Sequence, residues 1–275
     1  MAAQPAAEPH LQHPLTLAID IGGTGLKANV LDSDGNLVAD RVRTPTNYPM
    51  PPDLMVAKLT GLAVKLPVAD RISAGFPGMV RRGRVLSAPH FVTKKGPGSP
   101  TDPQLVKAWA GFDLAGALAK SIGRPCRVAN DADVQGAAVV GGKGYEVVIT
   151  LGTGFGTAFF MDGRLLPHEE FAHVEFRKNQ TFNEQLGESS RKKIGDKAWN
   201  KRVRKALEYL DTLTMFDHLY IGGGNGPRVN RRDLGTLLER ITVVDNTAGI
   251  LGGLKLWDRD HLGLNPEHGV NPMDP

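Results

Sequence analysis

The chain has 275 residues, of which 41% are hydrophobic and 23% charged, with a formal net charge of +4 at pH 7. This composition is typical of a globular protein with enough length for two moderate lobes, and no apolar run approaches the roughly 20 residues that a membrane span needs. The single cysteine, Cys126, excludes an intramolecular disulfide framework and a cysteine-rich zinc site.

The N-terminal residues have neither the charged region nor the apolar core of a signal peptide, so we predict loose tails over 1–12 and 263–275. Together with the cysteine content, this favours a cytoplasmic protein. The positive charge indicates attraction for polyanions in general, whether nucleic acid, a membrane surface or a phosphate-rich small substrate. Charge alone does not choose among them.

The first predicted element is a pair of strands joined by glycines. Apolar residues alternate before "DIGGTG" (20–25) and again after it, and the turn "DSDGN" (32–36) predicts a hairpin. The spacing from Gly23 to Ala28 fits the dinucleotide fingerprint G-x-G-x-x-A. That fingerprint needs a helix directly after the glycines to receive the pyrophosphate, and the predicted hairpin leaves no room for one. The sequence therefore argues against a dinucleotide site.

The rest of the first half predicts helices and strands in alternation. "DLMVAKLTGLAVKL" (53–66) predicts an amphipathic helix with Asp53 as its N-cap. "RISAGFPGMV" and "GRVLSAP" predict strands on either side of a glycine turn, and a short helix is expected near 113–121. Between them, "HFVTKKGPGSPTDP" (90–103) is rich in Pro, Gly and Lys and predicts a mobile surface loop.

The second half repeats the first in outline. "CRVANDAD" predicts a strand that ends in polar residues, followed by a helix over 134–140, and "YEVVITLGTGFGTAFFMDGRLL" (145–166) again predicts strand, Gly/Thr turn, strand. Two copies of one unit predict a duplicated architecture. We expect an N-terminal α/β lobe over 13–120 and a C-terminal α/β lobe over 121–262, with a helix near 247–257 packing back on the first lobe.

The two Gly/Thr turns offer backbone N–H groups and hydroxyls without side-chain bulk, which suits a phosphate clamp. Each turn alone fits a simple tight hairpin equally well, and the matched second copy favours the clamp. Asp20, at a strand end, is placed to hold Mg²⁺ through water, because Mg²⁺ keeps much of its hydration. The residues assigned to phosphate are Asp20, Gly22, Gly23, Thr24, Lys27, Gly152, Thr153 and Gly154.

Six short motifs follow one another in the order found in the ROK sugar kinases: "DIGGT" (20–24), "GFPG" (75–78), "ND" (130–131), "LGTG" (151–154), "EFAH" (170–173) and "GGG" (222–224). The chain resembles this family, which belongs to the actin-like ATPase superfamily. Its spacing and its "NTAGILGG" ending look most like the polyphosphate glucokinase branch, including glucomannokinases that use polyphosphate or ATP. The resemblance implies an α/β, two-lobed fold of ribonuclease H-like type with a central cleft.

The resemblance also implies roles for single residues. Asp131 matches the catalytic base that takes the proton of the sugar 6-hydroxyl, although an Asn-Asp pair at a strand end is also a common helix cap. His173 alone would suggest a structural histidine, and Glu170 three residues before it favours a sugar contact. The predicted sugar-binding residues are Gly75, Gly78, Asn130, Asp131, Glu170, His173 and Glu184.

For the phosphoryl donor, the resemblance implies an adenosine site at Gly222, Gly223, Gly224 and Asn225 and a track for polyphosphate. The basic residues that form this predicted track are Lys94, Lys95, Arg177, Lys178, Arg191, Lys192, Lys193, Lys201 and Arg202. Ordinary solvated lysines and arginines are the alternative explanation for these residues. The branch resemblance, rather than charge, favours polyphosphate.

One departure from the family concerns zinc. Most members carry a cysteine-rich zinc knuckle after the Glu-x-x-His segment, whereas this chain has "VEFRKNQTFNEQLGESS" there, and Ala172 replaces the usual Gly. We therefore expect Mg²⁺ but no zinc.

The predicted activity is phosphoryl transfer from polyphosphate, ATP or both to the 6-hydroxyl of glucose. The sequence leaves open whether mannose is also a substrate, which donor is preferred, and whether the protein is a monomer or a homodimer. An ATP-only sugar kinase and a non-catalytic sugar-binding regulator are the alternatives. A regulator needs a helix-turn-helix module, and about fifteen residues precede the first strand. With 6% aromatic residues and no recognisable module, nucleic-acid binding is not expected, and neither is membrane binding.

Overall fold

The structure is a computed structural model that describes residues 13–96, 98–244 and 248–257, so the predicted tails at 1–12 and 263–275 lie outside the described residues. In chain order the strands are β1 (Thr16–Ile21), β2 (Gly25–Leu31), β3 (Val42–Pro45), β4 (Arg71–Phe76), β5 (Val80–Arg81), β6 (Arg84–Val85), β7 (Cys126–Asn130), β8 (Tyr145–Leu151), β9 (Phe155–Met161), β10 (Arg164–Leu165), β11 (Glu175–Arg177), β12 (Gln180–Thr181), β13 (His218–Gly222) and β14 (Ile241–Val243). The α-helices are α1 (Pro52–Ala63), α2 (Pro103–Trp109), α3 (Leu114–Ile122), α4 (Asp131–Ala137), α5 (Phe182–Leu186), α6 (Glu188–Ile194), α7 (Asp196–Thr214) and α8 (Ala248–Lys255). Short 3₁₀ helices span Phe171–His173, Gly226–Arg228 and Arg231–Arg240.

The strands form two five-stranded sheets with the same topology, which confirms the predicted α/β duplication. The first has the order β3-β2-β1-β4-β7 and the second β10-β9-β8-β13-β14. In each, an antiparallel three-stranded meander continues into two parallel strands. The chain passes from β1 straight into antiparallel β2, so no helix follows the first glycines and the dinucleotide fingerprint is excluded.

The first sheet reaches further along the chain than the sequence suggested. Strand β7, which we placed in the C-terminal lobe, is paired with β4 from Ile72–Cys126 to Phe76–Asn130. The first sheet therefore ends at Asn130 and not near residue 120. Because β1, β4 and β7 are parallel, their C-terminal ends meet at one edge of the sheet, where polar groups from all three converge.

Two helix predictions need correction, and the predicted surface loop is partly buried. Helix α1 begins at Pro52 after Pro51, with no side-chain cap, so Asp53 is not its N-cap. The segment predicted as a mobile loop over 90–103 runs into α2, which Asp102 caps, and its Phe91 is buried against Phe76 and Trp109. The helix expected over 134–140 begins at the end of β7, with Asp131 as its first residue.

Each sheet has its own hydrophobic core, and α4 and α8 lie where the two meet. Helix α4 contacts β4 of the first sheet and β8 and β9 of the second, while α8 packs on α4, β1 and β4. Two glycines allow this approach: a side chain at Gly252 would collide with the carbonyl of Val134, and the Gly253 carbonyl accepts a hydrogen bond from the Ser73 hydroxyl. No helix within the described ranges is both long and apolar enough to span a membrane.

Candidate active site

The first Gly/Thr turn closes the β1–β2 hairpin and is held from the side of β3. The Gly22 N–H donates to the Gly25 carbonyl (3.0 Å), while the Thr46 hydroxyl donates to the Gly22 carbonyl (2.7 Å) and the Tyr48 hydroxyl to the Gly23 carbonyl (2.8 Å). Thr24 stays exposed at the tip of the turn. Side-chain hydroxyls thus hold two carbonyls of the turn, while the side chain of Thr24 is left exposed.

Two charged side chains lie next to the turn of the same hairpin. Asp20 pairs with Lys27 across the strands, and their carboxylate and ammonium groups are 2.8 Å apart. Both side chains are about half exposed. The predicted phosphate residues of the first lobe therefore do lie together, with one anion and one cation beside the turn.

The second Gly/Thr turn closes the β8–β9 hairpin and is braced from behind by two asparagines. The Asn225 amide donates to the Gly152 carbonyl (3.1 Å), and the Asn183 side-chain oxygen accepts from the Phe155 N–H (3.0 Å). A side chain at Gly154 would come within 2.0 Å of that Asn183 oxygen. Any larger residue at this position would have to displace the Asn183 side chain.

The glycines predicted to approach adenosine lie directly behind the second turn. Gly223 has a φ of 81° and packs so closely on Leu151 that a side chain would overlap its backbone. Asn225 is buried, and its backbone N–H donates to the Leu151 carbonyl. The structure thus gives Asn225 a bracing contact, while the predicted adenosine contact of these residues stays a prediction.

Asp131 stands where β7 passes into α4. Asn130 caps this helix: its side-chain oxygen accepts from the Ala132 N–H (2.7 Å), and its amide donates to the Gly78 carbonyl (3.0 Å). The backbone of Gly75 lies against Asp131, since a side chain there would sit 3.5 Å from the Asp131 Cα. Four of the predicted sugar residues are therefore brought together, and the Asn-Asp pair is a helix cap and part of this cluster at once.

The carboxylate of Asp131 has an unusual environment. Burial, together with the charges of Asp20, Asp133 and Glu170, raises its pKa to about 7, although the hydrogen bond from the Ala132 N–H acts in the opposite direction. A carboxyl group with a pKa near neutral pH is suited to accept a proton in general base catalysis. Three other carboxylates thus act on this one candidate base.

Sequence reasoning missed a buried histidine beside this cluster. His168 Nδ1 lies 2.9 Å from Asp133 Oδ1, and both side chains are 4% exposed. Its other ring nitrogen, Nε2, lies 3.7 Å from Glu170 Oε2. Burial lowers the pKa of His168, but its interactions with Asp133 and Glu170 dominate and raise it to about 10. Nothing local in "LPHEE" indicates that this histidine meets a helix that begins 37 residues earlier.

Glu170 and His173 border the 3₁₀ helix of 171–173, and a first-lobe histidine faces them. Burial raises the pKa of Glu170, but its contacts with His168 and His173 prevail and lower it overall. Burial lowers the pKa of His90, as does the charge of His173, while Glu170 opposes this. His90, which the sequence analysis did not single out, therefore lies across from Glu170 and His173.

Comparison with known proteins identifies the family of this chain. The model of the ROK family matches residues 16–181, more than half of the chain. The chain belongs to the ROK family. Polyphosphate glucokinases from Mycobacterium tuberculosis (strain CDC 1551 / Oshkosh) and Mycobacterium leprae (strain TN) are each 31% identical to it over 250 residues, which is 85% of this chain and 88% and 72% of theirs.

Solved structures agree with this membership. The inorganic polyphosphate/ATP-glucomannokinase of Arthrobacter sp. strain KM aligns with a TM-score of 0.71 and 28% identity, over 90% of this ROK chain and all of its own (100%). A ROK family glucokinase from Streptomyces griseus, solved with glucose and AMPPNP, aligns with a TM-score of 0.61 at 20% identity, over 88% and 98% of the two chains. These neighbours confirm the actin-like, two-lobed fold.

Glu184 is not part of the carboxylate cluster in this ROK protein. Its exposed carboxylate accepts from the N–H (2.8 Å) and hydroxyl (3.1 Å) of Thr181, which completes a capping box at the start of α5. Those hydrogen bonds lower the pKa of Glu184. The carboxylate predicted to bind sugar is therefore engaged in capping a helix.

The residues present suit Mg²⁺ only as a partner of the donor phosphates. Within the described ranges, no three His, Cys, Asp or Glu side chains are grouped as a metal site. Asp20 offers one exposed carboxylate, and Mg²⁺ commonly binds through one or two carboxylates, several waters and substrate phosphates. The segment that replaces the zinc knuckle forms the β11–β12 hairpin and α5, and the expected lack of zinc stays a prediction.

Five of the nine basic residues predicted as a polyphosphate track fall into two groups. Arg191 and Lys192 form ion pairs with Glu188, and Arg191 also with Asp196. A second group lines a groove of about 450 Å³ between α7 and β11. The groove residues are Phe176, Arg177, Ala198, Lys201, Arg202, Lys205 and Tyr209.

Proposed function

We propose that this ROK protein transfers the terminal phosphoryl group of polyphosphate or ATP to the 6-hydroxyl of glucose. The observation that carries the proposal is the position of Asp131, a carboxylate with a pKa raised to about 7. It lies in contact with Gly75 and next to Asn130, and it senses the charge of Asp20 beside the first Gly/Thr turn. A base, sugar-binding groups and a phosphate turn thus converge on one place.

In the proposed reaction, the Asp131 carboxylate accepts the proton of the sugar 6-hydroxyl while that oxygen attacks the terminal phosphorus. The new bond joins O6 to phosphorus, and the bond from phosphorus to the donor oxygen breaks, so that ADP or a shortened polyphosphate leaves. Phosphoryl transfer needs mainly positioning and charge stabilisation, and a positioned general base contributes about 10²- to 10⁴-fold.

The two Gly/Thr turns would hold the donor from both lobes through backbone N–H groups and the hydroxyls of Thr24 and Thr153. Lys27 adds a positive charge at the first turn. Mg²⁺ bound to the donor would neutralise phosphate charge, with Asp20 holding it through water. On the sugar side, Asn130, Glu170 and His173 would hydrogen-bond the ring hydroxyls and reject ligands that lack them.

For polyphosphate, the groove between α7 and β11 is the candidate for the distal part of the chain. Arg177, Lys201 and Arg202 have no ion-pair partner within the described residues. Burial lowers the pKa of Arg202, and so does the positive charge of Arg177. A polyanion between these two guanidinium groups would relieve their repulsion.

The groove is connected to the second phosphate turn through α5 and α6. Arg202 donates to the Ser190 hydroxyl (2.8 Å) on α6 and to the Gln185 carbonyl (3.3 Å) on α5. The residue between these helices, Gly187, lies so close to the Thr153 carbonyl that a side chain would come within 2.5 Å of it. An extended polyphosphate held at the second turn could continue along these helices into the groove.

The test of the function is hexose 6-phosphate formation by the purified protein with Mg²⁺, with glucose or mannose crossed against ATP or long-chain polyphosphate. We expect product from glucose with at least one donor. Binding of glucose without product from either donor would favour a sugar-binding regulator. If glucose neither binds nor gives product, the assignment of the sugar site is contradicted.

The test of the groove compares two double variants. Arg177→Ala with Lys201→Ala removes two unpaired groove cations, whereas Lys192→Ala with Lys193→Ala removes neighbouring lysines outside the groove. We expect the first variant to raise the KM for long-chain polyphosphate about 10-fold, to reduce its salt dependence and to leave the KM for ATP unchanged. Equal effects of the two variants on polyphosphate would contradict a role for the groove.

A further inference from the structure

His168 lies between two parts of the predicted active site, helix α4 with the candidate base and the segment with the predicted sugar contact Glu170. Its Nδ1 lies 2.9 Å from Oδ1 of Asp133 on α4. Asp133 follows the candidate base Asp131 by two residues. Through Nε2, His168 faces Glu170 (3.7 Å), which the predicted sugar site includes. A single side chain thus lies between the helix of the candidate base and the carboxylate of the candidate sugar contact.

The surroundings of His168 leave it little freedom. The hydroxyl of Thr157 on β9, which is fully buried, donates to the carbonyl of Glu169 (2.8 Å) and fixes the backbone next to the histidine. The Nε2 atom of His168 is buried and has no hydrogen-bond partner among the described atoms. A distance of 3.7 Å to Glu170 is too long for a hydrogen bond, so a buried ring nitrogen without a partner faces that carboxylate.

The charges around the histidine make it a cation. Asp133 on α4 and Glu170 beside the 3₁₀ helix both act on it, and their effect on its pKa exceeds that of burial. Around this pair lie Asp131 on α4, His173 at the end of the 3₁₀ helix and His90 from the first lobe. A buried pair of carboxylates needs a positive partner, and His168 is placed to serve both.

We propose that His168 is the positioning residue of the hexose site, joining helix α4 to Glu170 through its two ring nitrogens so that Asp131 and Glu170 face the same sugar. The inference rests on the proposed function, because it concerns how that site holds its substrate. On hexose binding, the Glu170 carboxylate moves closer to His168 and accepts a hydrogen bond from its Nε2–H. His168 itself does not touch the reacting atoms.

Two substitutions separate the two ring nitrogens. In His168→Asn the amide nitrogen replaces Nδ1, so the contact with Asp133 remains and the contact with Glu170 is lost. In His168→Gln the amide nitrogen reaches the place of Nε2, so the opposite contact remains. His218→Asn is the matched control, since His218 contacts Thr242 through Nε2 and lies outside the site.

Steady-state kinetics and calorimetry with glucose then test the inference. We expect His168→Asn to raise the KM and Kd for glucose about 10-fold while the KM for the phosphoryl donor stays within twofold, as befits a group that acts through sugar placement. His168→Gln should have a smaller effect on glucose affinity, and His218→Asn none. A glucose KM within twofold of wild type in His168→Asn would overturn the proposal. Should this variant not fold, the imidazole signal of the wild-type protein, described next, decides instead.

Nuclear magnetic resonance of the imidazole gives a readout that a purely structural role would not move. The His168 ring should carry protons on both nitrogens at pH 8, and the Nε2–H signal should shift downfield when glucose is added to wild-type protein. A neutral ring at pH 8, or a signal that ignores glucose while glucose demonstrably binds, would contradict the proposal. If wild-type protein binds no hexose at all, the proposed function fails, and this inference fails with it.

Discussion

The two Gly/Thr turns belong to hairpins of the same topology, yet the residue pairs next to the turns differ. In the first hairpin, the pair opposite each other near the end of β1 is Asp20 and Lys27, both charged and half exposed. In the second hairpin, the corresponding pair near the end of β8 is Thr150 and Gly156. A side chain at Gly156 would come within 3.1 Å of the Ala132 methyl group of α4.

This difference shows how a duplicated fold produces an asymmetric site. Helix α4 follows the first sheet and packs on the second hairpin, where glycine leaves space for its first turn. That packing places Asp131 and Asp133 next to the second lobe, while Asp20 and Lys27 stay at the first. The first hairpin carries the charged pair predicted to meet the donor, and the second packs against the helix that carries the candidate base.

The largest effect that sharpens this comparison is expected from Asp131→Asn. Loss of the base should reduce kcat by about 10²- to 10⁴-fold, while the Kd for glucose changes less than 10-fold. Because its folded-state pKa is raised, ionised Asp131 destabilises the protein above its unfolded pKa, so the variant should also have a higher Tm at pH 8. The exposed Asp53→Asn is the control, and turnover within 10-fold of wild type would remove Asp131 as the base.

The pH profile of wild-type kcat/KM should show an acidic limb near pH 7. Asp131 must be deprotonated to act, and its pKa is raised to about 7, so activity falls as pH drops through that value. With one proton involved, kcat/KM at pH 5 should be about 100-fold below that at pH 8. A profile that stays flat down to pH 5 would mean that the base titrates like an ordinary exposed aspartate.

Gly154→Ala and Gly25→Ala compare the bracing of the two turns. Alanine at 154 would push Asn183 off the Phe155 N–H, whereas at 25 its nearest neighbour is the Thr44 carbonyl at 3.7 Å, an ordinary contact. We expect a donor KM about 10-fold higher and a lower Tm for Gly154→Ala, with much smaller changes for Gly25→Ala. Similar effects at both positions would show that the bracing by α5 is unimportant.

The smallest effect is expected from Glu184→Gln, which alters α5 near the second turn. Since Glu184 caps its own helix, the KM for glucose should stay within twofold of wild type and only a small decrease in Tm should follow. Titration of activity with glucose decides between this outcome and direct sugar binding, for which the KM would rise 10-fold or more.

Local patterns were sufficient for the paired hairpins. Alternating apolar residues around "GGT" and "GTG" predict a strand, a turn and a second strand in each half. The order of the six motifs shared with ROK sugar kinases predicted the fold class. Helix α2 could also have been found, because Asp102-Pro103 is a typical N-cap followed by a proline in the first turn. The Glu188–Lys192 ion pair follows from its i, i+4 spacing.

Contacts between distant segments could not be predicted in this way. Nothing in "CRVAN" shows which sheet the strand joins, so the boundary between the lobes was placed too early. The pairing of His168 with Asp133 depends on how α4 packs on β9, and the facing of His90 and His173 depends on the arrangement of two lobes. The contact of Asn225 with Gly152 likewise joins two loops far apart in the chain, so local patterns do not indicate it.

Phosphorus NMR of the wild-type protein with Mg²⁺, glucose and either donor tests the central claim most directly. The account predicts a growing phosphomonoester signal of hexose 6-phosphate that matches the loss of terminal donor phosphate, and no such signal when 6-deoxyglucose replaces glucose. Inorganic phosphate as the sole product, at the same rate with and without glucose, would contradict phosphoryl transfer to a sugar in this site.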